Sequence, residues 1–197
     1  MLKSNLIKIQ NFMNISLKKK PIFFETLNIF IEQLKLLNNI NPEETEENQK
    51  TFIRDFLINT FNYKINTSGD IDWAIFNELN KVEVIIEVKR IINESEMVNK
   101  EDFLRKAFFE TILYFMQERN QGNIDLKHII ITNVHTWFII DASEYERIFW
   151  NNKIFRQRFL DWKNKKTLND TTEFFYFSIA KPFCEFLINT RRESLFD

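Results

Sequence analysis

Asp72 and the triplet Glu87-Val88-Lys89 bring two carboxylates and an amine onto short apolar runs that read as β-strands. An extended strand alternates its faces, so Glu87 and Lys89 point one way and Val88 the other. If the run carrying Asp72 lies alongside, the two carboxylates can grip one divalent cation. The ammonium can then hold a water or a phosphate oxygen beside it. That is the equipment of phosphodiester hydrolysis. The competing reading is a plain ion pair at a strand end. Val84, Ile85 and Ile86 argue against it, because they mark an interior strand, where charges are costly unless a metal or a partner satisfies them. Asp70, two residues before Asp72, is either a reserve ligand on the same face or the cap of the Gly69 turn.

The elements that must position these groups are legible as periodicities. Residues 1–20 form a lead-in arm ending in Lys18-Lys19-Lys20-Pro21, and Phe23, Leu27, Phe30, Leu34 and Leu37 then recur at helical spacing over residues 22–37. Asn41-Pro42-Glu43-Glu44 announces a second helix, with Asn41 as cap, running to about Phe61 with Phe52, Ile53, Phe56, Leu57 and Thr60 on its apolar stripe. Strands are expected over 63–67, 71–76 and 82–89, the third covered on both faces. A long helix is expected over 101–119, with Phe103, Ala107, Glu110, Tyr114 and Gln117 along one face. Strands over 127–133 and 136–140 follow, then helices from Ser143 onward with a turn near Leu168–Thr171. Alternating helices and strands around one buried strand imply an α/β fold built on a mixed sheet.

Composition narrows the function classes. The formal net charge of -1 gives no global signature for nucleic acid, so any such surface must be local. One is available: Lys153, Arg156, Arg158, Lys163, Lys165 and Lys166 interleave with Phe155, Phe159 and Trp162, as in a basic amphipathic helix that contacts a DNA backbone, docks another domain or simply faces solvent. Two histidines and one cysteine, Cys184, argue against zinc sites and disulfides. His128 and His135 read as structural. Only two glycines occur, Gly69 and Gly122, which excludes glycine-rich phosphate and dinucleotide loops. Charges interrupt every apolar stretch before it could span a bilayer, so no membrane is expected and a cytoplasmic location is the default.

Asp72 followed fifteen residues later by Glu87-x-Lys89 resembles the PD-(D/E)XK nuclease signature, with Ile71 where that signature carries Pro. The runs Asn66–Ile75, Ile129–Asn133, Trp137–Asp141, Asp161-Trp162-Lys163 and Phe174–Phe183 extend the likeness. Together they resemble the N-terminal nuclease domain of fused type IIG restriction-modification enzymes over most of the chain. The resemblance implies a restriction-endonuclease-like mixed central sheet flanked by helices, with a nuclease core over 41–142. An N-terminal arm and helix over 1–40 and a C-terminal helical part over 143–197 would pack on it as one domain. It further implies Mg²⁺-dependent cleavage of double-stranded DNA. Asp72 and Glu87 would be the metal ligands, with the Val88 carbonyl completing the inner shell, and Lys89 would orient or deprotonate the attacking water. Nucleases of this kind often add an acidic residue from the preceding helix. At about 100° per residue Glu46 falls near the Phe52/Phe56/Thr60 stripe and Glu47 nearly opposite, which nominates Glu46 unless Glu43–Glu47 only complement a helix N-terminus.

Glu110-x-x-x-Tyr114 resembles the Q-x-x-x-Y element of RecB-like nucleases, with Glu in place of Gln; a core tyrosine and a glutamate at the sheet edge is the alternative. Lys153, Arg156, Arg158 and Lys163 are the candidate DNA contacts. Methyltransferase and target-recognition domains would act in cis or in trans, since the chain has no Asn-Pro-Pro-Tyr/Phe motif or AdoMet loop. The rival classes are a non-catalytic DNA- or protein-binding module on a degenerate nuclease fold and a repair or exonuclease of the same superfamily.

Overall fold

The computed structural model describes residues 24–193; the lead-in arm expected over 1–20 lies outside the described residues. Helices α1 (Phe24–Asn38) and α2 (Glu46–Phe61) precede strands β1 (Ile65–Ser68), β2 (Ile71–Phe76) and β3 (Val82–Val88). Helix α3 (Lys106–Asn120) then leads to β4 (His128–Thr132) and β5 (Trp137–Asp141). Helix α4 (Ala142–Tyr145) runs into a π-helical turn, Glu146–Trp150, and is followed by α5 (Lys153–Lys163). Helix α6 (Thr172–Phe174) continues through a π-helical stretch, Phe175–Ala180, into α7 (Lys181–Glu193). The fold is α/β: a five-stranded mixed sheet in the order β1-β2-β3-β4-β5, flanked by helices. Only β3 and β4 are parallel; the other neighbours are antiparallel. Among the described residues no helix is long and apolar enough to cross a membrane.

Local chemistry explains the hairpins. Ser68 pairs with Ile71 across the two-residue turn Gly69-Asp70, and Gly69 has φ +58°, the backbone that type II′ turns demand at their first central position. At the β2–β3 turn, Asn77 Oδ1 accepts from the backbone N–H groups of Leu79 and Lys81, and Asn80 takes up the positive φ.

Alternation along β2 and β3 sorts their side chains into two cores. Ala74 and Ile85 join α3 and the C-terminal helices in the larger core. Ile75, Ile86 and Val88 join Leu37 of α1 and Ile53, Phe56 and Leu57 of α2 in the smaller one. The C-terminal helices therefore share a core with the sheet, their aromatic rings packed as closely as Phe155 on Phe183, 4.6 Å between centroids.

Two helix starts differ from expectation. Thr45, not Asn41, caps α2 by accepting from Asn48 N, while Asn41 Oδ1 closes a tight turn on Glu43 N. Helix α3 begins at Lys106 rather than 101: Asn99 Oδ1 accepts from the Glu101 and Asp102 N–H groups and Asp102 Oδ1 from that of Leu104, which diverts this segment, with Phe103, from the helix. Phe52, expected on the buried stripe of α2, is exposed.

Candidate active site

Asp72, Glu87 and Lys89 lie together where β3 ends. The β2–β3 register Trp73↔Ile86, carried one step on, sets Asp72 opposite Glu87 on the face that bears α3. Such opposed residues have Cβ atoms roughly 5 Å apart. Asp72 Oδ2 accepts from Val88 N at 3.0 Å, which fixes the carboxylate against the neighbouring strand. Lys89 N donates to Thr132 O at 2.8 Å, extending the β3–β4 pairing one residue past β3. The Lys89 ammonium is 2.8 Å from Glu87 Oε1 and 2.6 Å from Glu110 Oε2 on α3, with Glu96 Oε2 farther off at 3.6 Å.

These groups are deeply buried, Glu87 to 2 % exposure and Lys89 to 5 %. Among the described residues Glu87 Oε2 accepts from no N–H group, and the Glu87 carboxyl lies within hydrogen-bond reach of the Glu110 carboxyl. Burial pushes the Glu87 carboxyl well above the usual carboxylate range, further than the Lys89 ammonium pulls it back, and the Asp72 and Glu110 charges add to the push. Burial also raises Asp72, against the opposing pull of Lys50 and the Val88 N–H. Lys89 sits above the ordinary lysine value because the Glu87 and Glu110 charges outweigh the effect of its burial. It is a firmly held cation.

A second lysine stands on the other side of Asp72. Lys50 of α2 places its ammonium 2.7 Å from Asp72 Oδ1, 3.1 Å from Glu46 Oε1 and 3.2 Å from Glu47 Oε1. Both candidate helix glutamates thus reach the site through Lys50, Glu46 with a half-exposed side chain and Glu47 with an exposed one. The start of α2 is clamped to the end of β3. The buried Gln49 donates to Pro42 O and Glu44 O and accepts from Ile91 N, while Arg90 donates to the carbonyls of Glu43 and Glu44.

Helix α3 contributes more than Glu110. Tyr114 is buried; its burial and the Glu87 and Glu110 charges keep its phenol well above the ordinary value, so it remains a neutral donor. Tyr176, from the π-helical stretch before α7, is held protonated by burial and by the Glu110 charge. Lys106 bridges Glu96 at 3.2 Å and Glu173 at 3.3 Å, tying the segment after β3 to the C-terminal helices.

The remaining expected residues lie outside this cluster. Asp70 is exposed in the β1–β2 turn. The Val88 side chain points into the opposite core, leaving only its backbone at the site. On α5, Phe155, Phe159 and Trp162 are buried, while Lys153, Arg158 and Lys163 are exposed. Arg156 sits over the Trp150 ring, 5.4 Å from its centroid. Among the described residues none of these four cations pairs with Asp72, Glu87 or Glu110.

Lys50, Glu96, Lys106 and Tyr176 escaped the sequence reading. Lys50 had one usable signal, its position four residues after Glu46 on the helix already suspected of supplying an acid; the others are joined to the site only by tertiary packing. The donor set suits a hard cation such as Mg²⁺, which takes oxygen ligands and keeps several waters. Asp72 and Glu87 offer opposed carboxylates, with Glu87 deeply buried. Among the described residues no group of three or more His, Cys, Asp or Glu side chains is arranged to hold a metal, so the protein side chains would supply only this pair.

No curated protein matches the chain, and no solved structure matches it. The sequence model of the DUF7149 family, a domain of unknown function, matches residues 7–197, and the chain belongs to that family.

Proposed function

We propose that this domain is a Mg²⁺-dependent endonuclease of the PD-(D/E)XK type that hydrolyses phosphodiester bonds in double-stranded DNA as the nuclease part of a restriction-modification enzyme. The observation that supports the reading is the pair of opposed carboxylates Asp72 and Glu87, Glu87 only 2 % exposed, with the Lys89 ammonium 2.8 Å from one Glu87 oxygen. A carboxyl buried this deeply is costly to ionise. Function accounts for its retention. The mixed sheet flanked by helices is the architecture the resemblance implies, which adds support.

Asp72 and Glu87 would hold the cation, with the Val88 carbonyl as a third ligand. Bound there, Mg²⁺ supplies Lewis acidity: it lowers the pKa of a coordinated water and neutralises charge on the phosphoryl oxygens. Without a cation Lys89 is held protonated by the Glu87 and Glu110 charges, and in the reaction it would orient or deprotonate the attacking water. Tyr114 and Tyr176, both neutral, stand near as further donors. The exposed cations of α5 would contact the DNA backbone.

The test is nicking of supercoiled plasmid in Mg²⁺ and in EDTA by the wild type, Asp72→Asn and Lys89→Met. Nicking confined to the wild type in Mg²⁺ supports the reading; no nicking, or equal nicking by all three, overturns it.

A second reading, a non-catalytic DNA- or protein-binding module on a degenerate nuclease fold, draws on one observation. Lys50 and Lys89 each already pair with one of the two carboxylates, so both carboxylates have an ammonium partner without a metal. That module would bind no divalent cation at this pair.

A further inference from the structure

We propose that Lys50 is an internal counter-ion of the cation site: its ammonium bridges Asp72 and Glu46 and is the group that a divalent cation displaces on binding. The inference rests on the nuclease reading and deepens it. Of the two Asp72 oxygens, Oδ2 is engaged by the Val88 N–H at 3.0 Å, so Oδ1 is the better placed to ligate a metal. Lys50 lies on that oxygen at 2.7 Å. A metal–oxygen bond is about 2.1 Å long, so a cation on Oδ1 would meet the Lys50 ammonium at a distance where two positive charges repel strongly. The two occupants compete for one oxygen.

The surroundings give the displaced side chain somewhere to go. Glu47 Oε1 is 3.2 Å from the same ammonium, and its side chain is 82 % exposed, so Lys50 can swing outward while keeping a carboxylate partner. The backbone need not follow, because Lys50 O accepts from Trp73 Nε1 at 2.9 Å and the Gln49 and Arg90 clamp holds the start of α2 on β3. Lys50 thereby spares Asp72 an uncompensated charge when no metal is present, and it lowers the affinity of the site for metal.

Two measurements on the whole domain test this, with Ca²⁺ as the probe. Calorimetry should show Lys50→Met binding Ca²⁺ about tenfold or more tightly than the wild type, since a nearby positive charge has been removed. In the wild type, Lys50 has a side chain only 12 % exposed and should react slowly with an amine-acetylating ester, as read by peptide mass spectrometry. Saturating Ca²⁺ should speed its acetylation severalfold while the exposed Lys35 is unaffected. Equal Ca²⁺ affinity in the two proteins with an unchanged Lys50 acetylation rate overturns the counter-ion role and leaves the cation site standing. Absence of Ca²⁺ binding in both proteins overturns the role and the cation site together. If Lys50→Met does not fold, the wild-type acetylation rate decides alone.

Discussion

The two faces of β3 are built from one short sequence and reach opposite solutions. Toward α2, Val84, Ile86 and Val88 pack with Trp73 and Ile75 in an uninterrupted apolar layer. Toward α3, the face starts the same way, with Ile85 and Ala74, and then turns ionic with Glu87, Lys89, Asp72 and Glu110. Apolar burial contributes roughly 25 cal/mol per Å², whereas a buried ion network at best offsets its own desolvation. A strand selected for stability alone would carry the apolar solution on both faces. The ionic end of one face is therefore where stability has been given up, and the proposed nuclease function would account for it.

Substitutions on the two faces should behave differently, and the largest difference is in activity. Asp72→Asn and Lys89→Met should lower plasmid nicking by about 10²-fold or more, as loss of a group acting on the transition state does. Retained nicking would reduce the ionic face to an ordinary ion-pair network. Ile86→Ala, on the apolar face, should cost about 2–5 kcal/mol in urea denaturation by opening a cavity at a fully buried site.

Glu87→Gln, one residue on but facing the other way, should instead raise stability at neutral pH, with a Tm increase of roughly 2–4 °C per kcal/mol gained. Its pH dependence follows from the raised Glu87 pKa. The stability contributed by protonated Glu87 is complete below the ordinary glutamate range and is lost as pH rises through the raised folded-state value. The advantage of Glu87→Gln should then be greatest at neutral pH and vanish in acid. A destabilised Glu87→Gln at neutral pH would show that the ion pair stabilises the fold, and the contrast between the faces would fail. The smallest effects belong to α5: Lys153→Ala and Arg158→Ala should each weaken plasmid binding a few-fold and lower the salt dependence by about one unit of slope.

Most of the strands were legible because β-branched runs leave little choice; Ile71–Phe76 was expected at those bounds, and Val82–Val88 ends one residue short of expectation. Helix starts were harder. Asn41-Pro42 and Thr45 both carry capping signals, and the choice was made by Gln49, whose side chain holds residues 42–44 as a loop against β3. In the candidate site, Asp72, Glu87 and Lys89 could be grouped because strand alternation and a short hairpin relate them locally. Lys50 looked like half of an ordinary i,i+4 pair with Glu46, and only the packing of α2 beside β2 brings it to Asp72. Tyr176 arrives from a π-helical stretch far along the chain, through a core whose pairing no sequence period encodes.

The central claim is that the ionic end of this face holds a divalent cation. Anomalous scattering at the manganese edge from crystals soaked in Mn²⁺ addresses it directly. The account predicts one strong peak in ligating contact with both Asp72 and Glu87, lost in Asp72→Asn, with the Lys50 ammonium moved off Asp72 Oδ1. A wild-type map at saturating Mn²⁺ with no peak at this pair, and Lys50 still on Asp72, would contradict it.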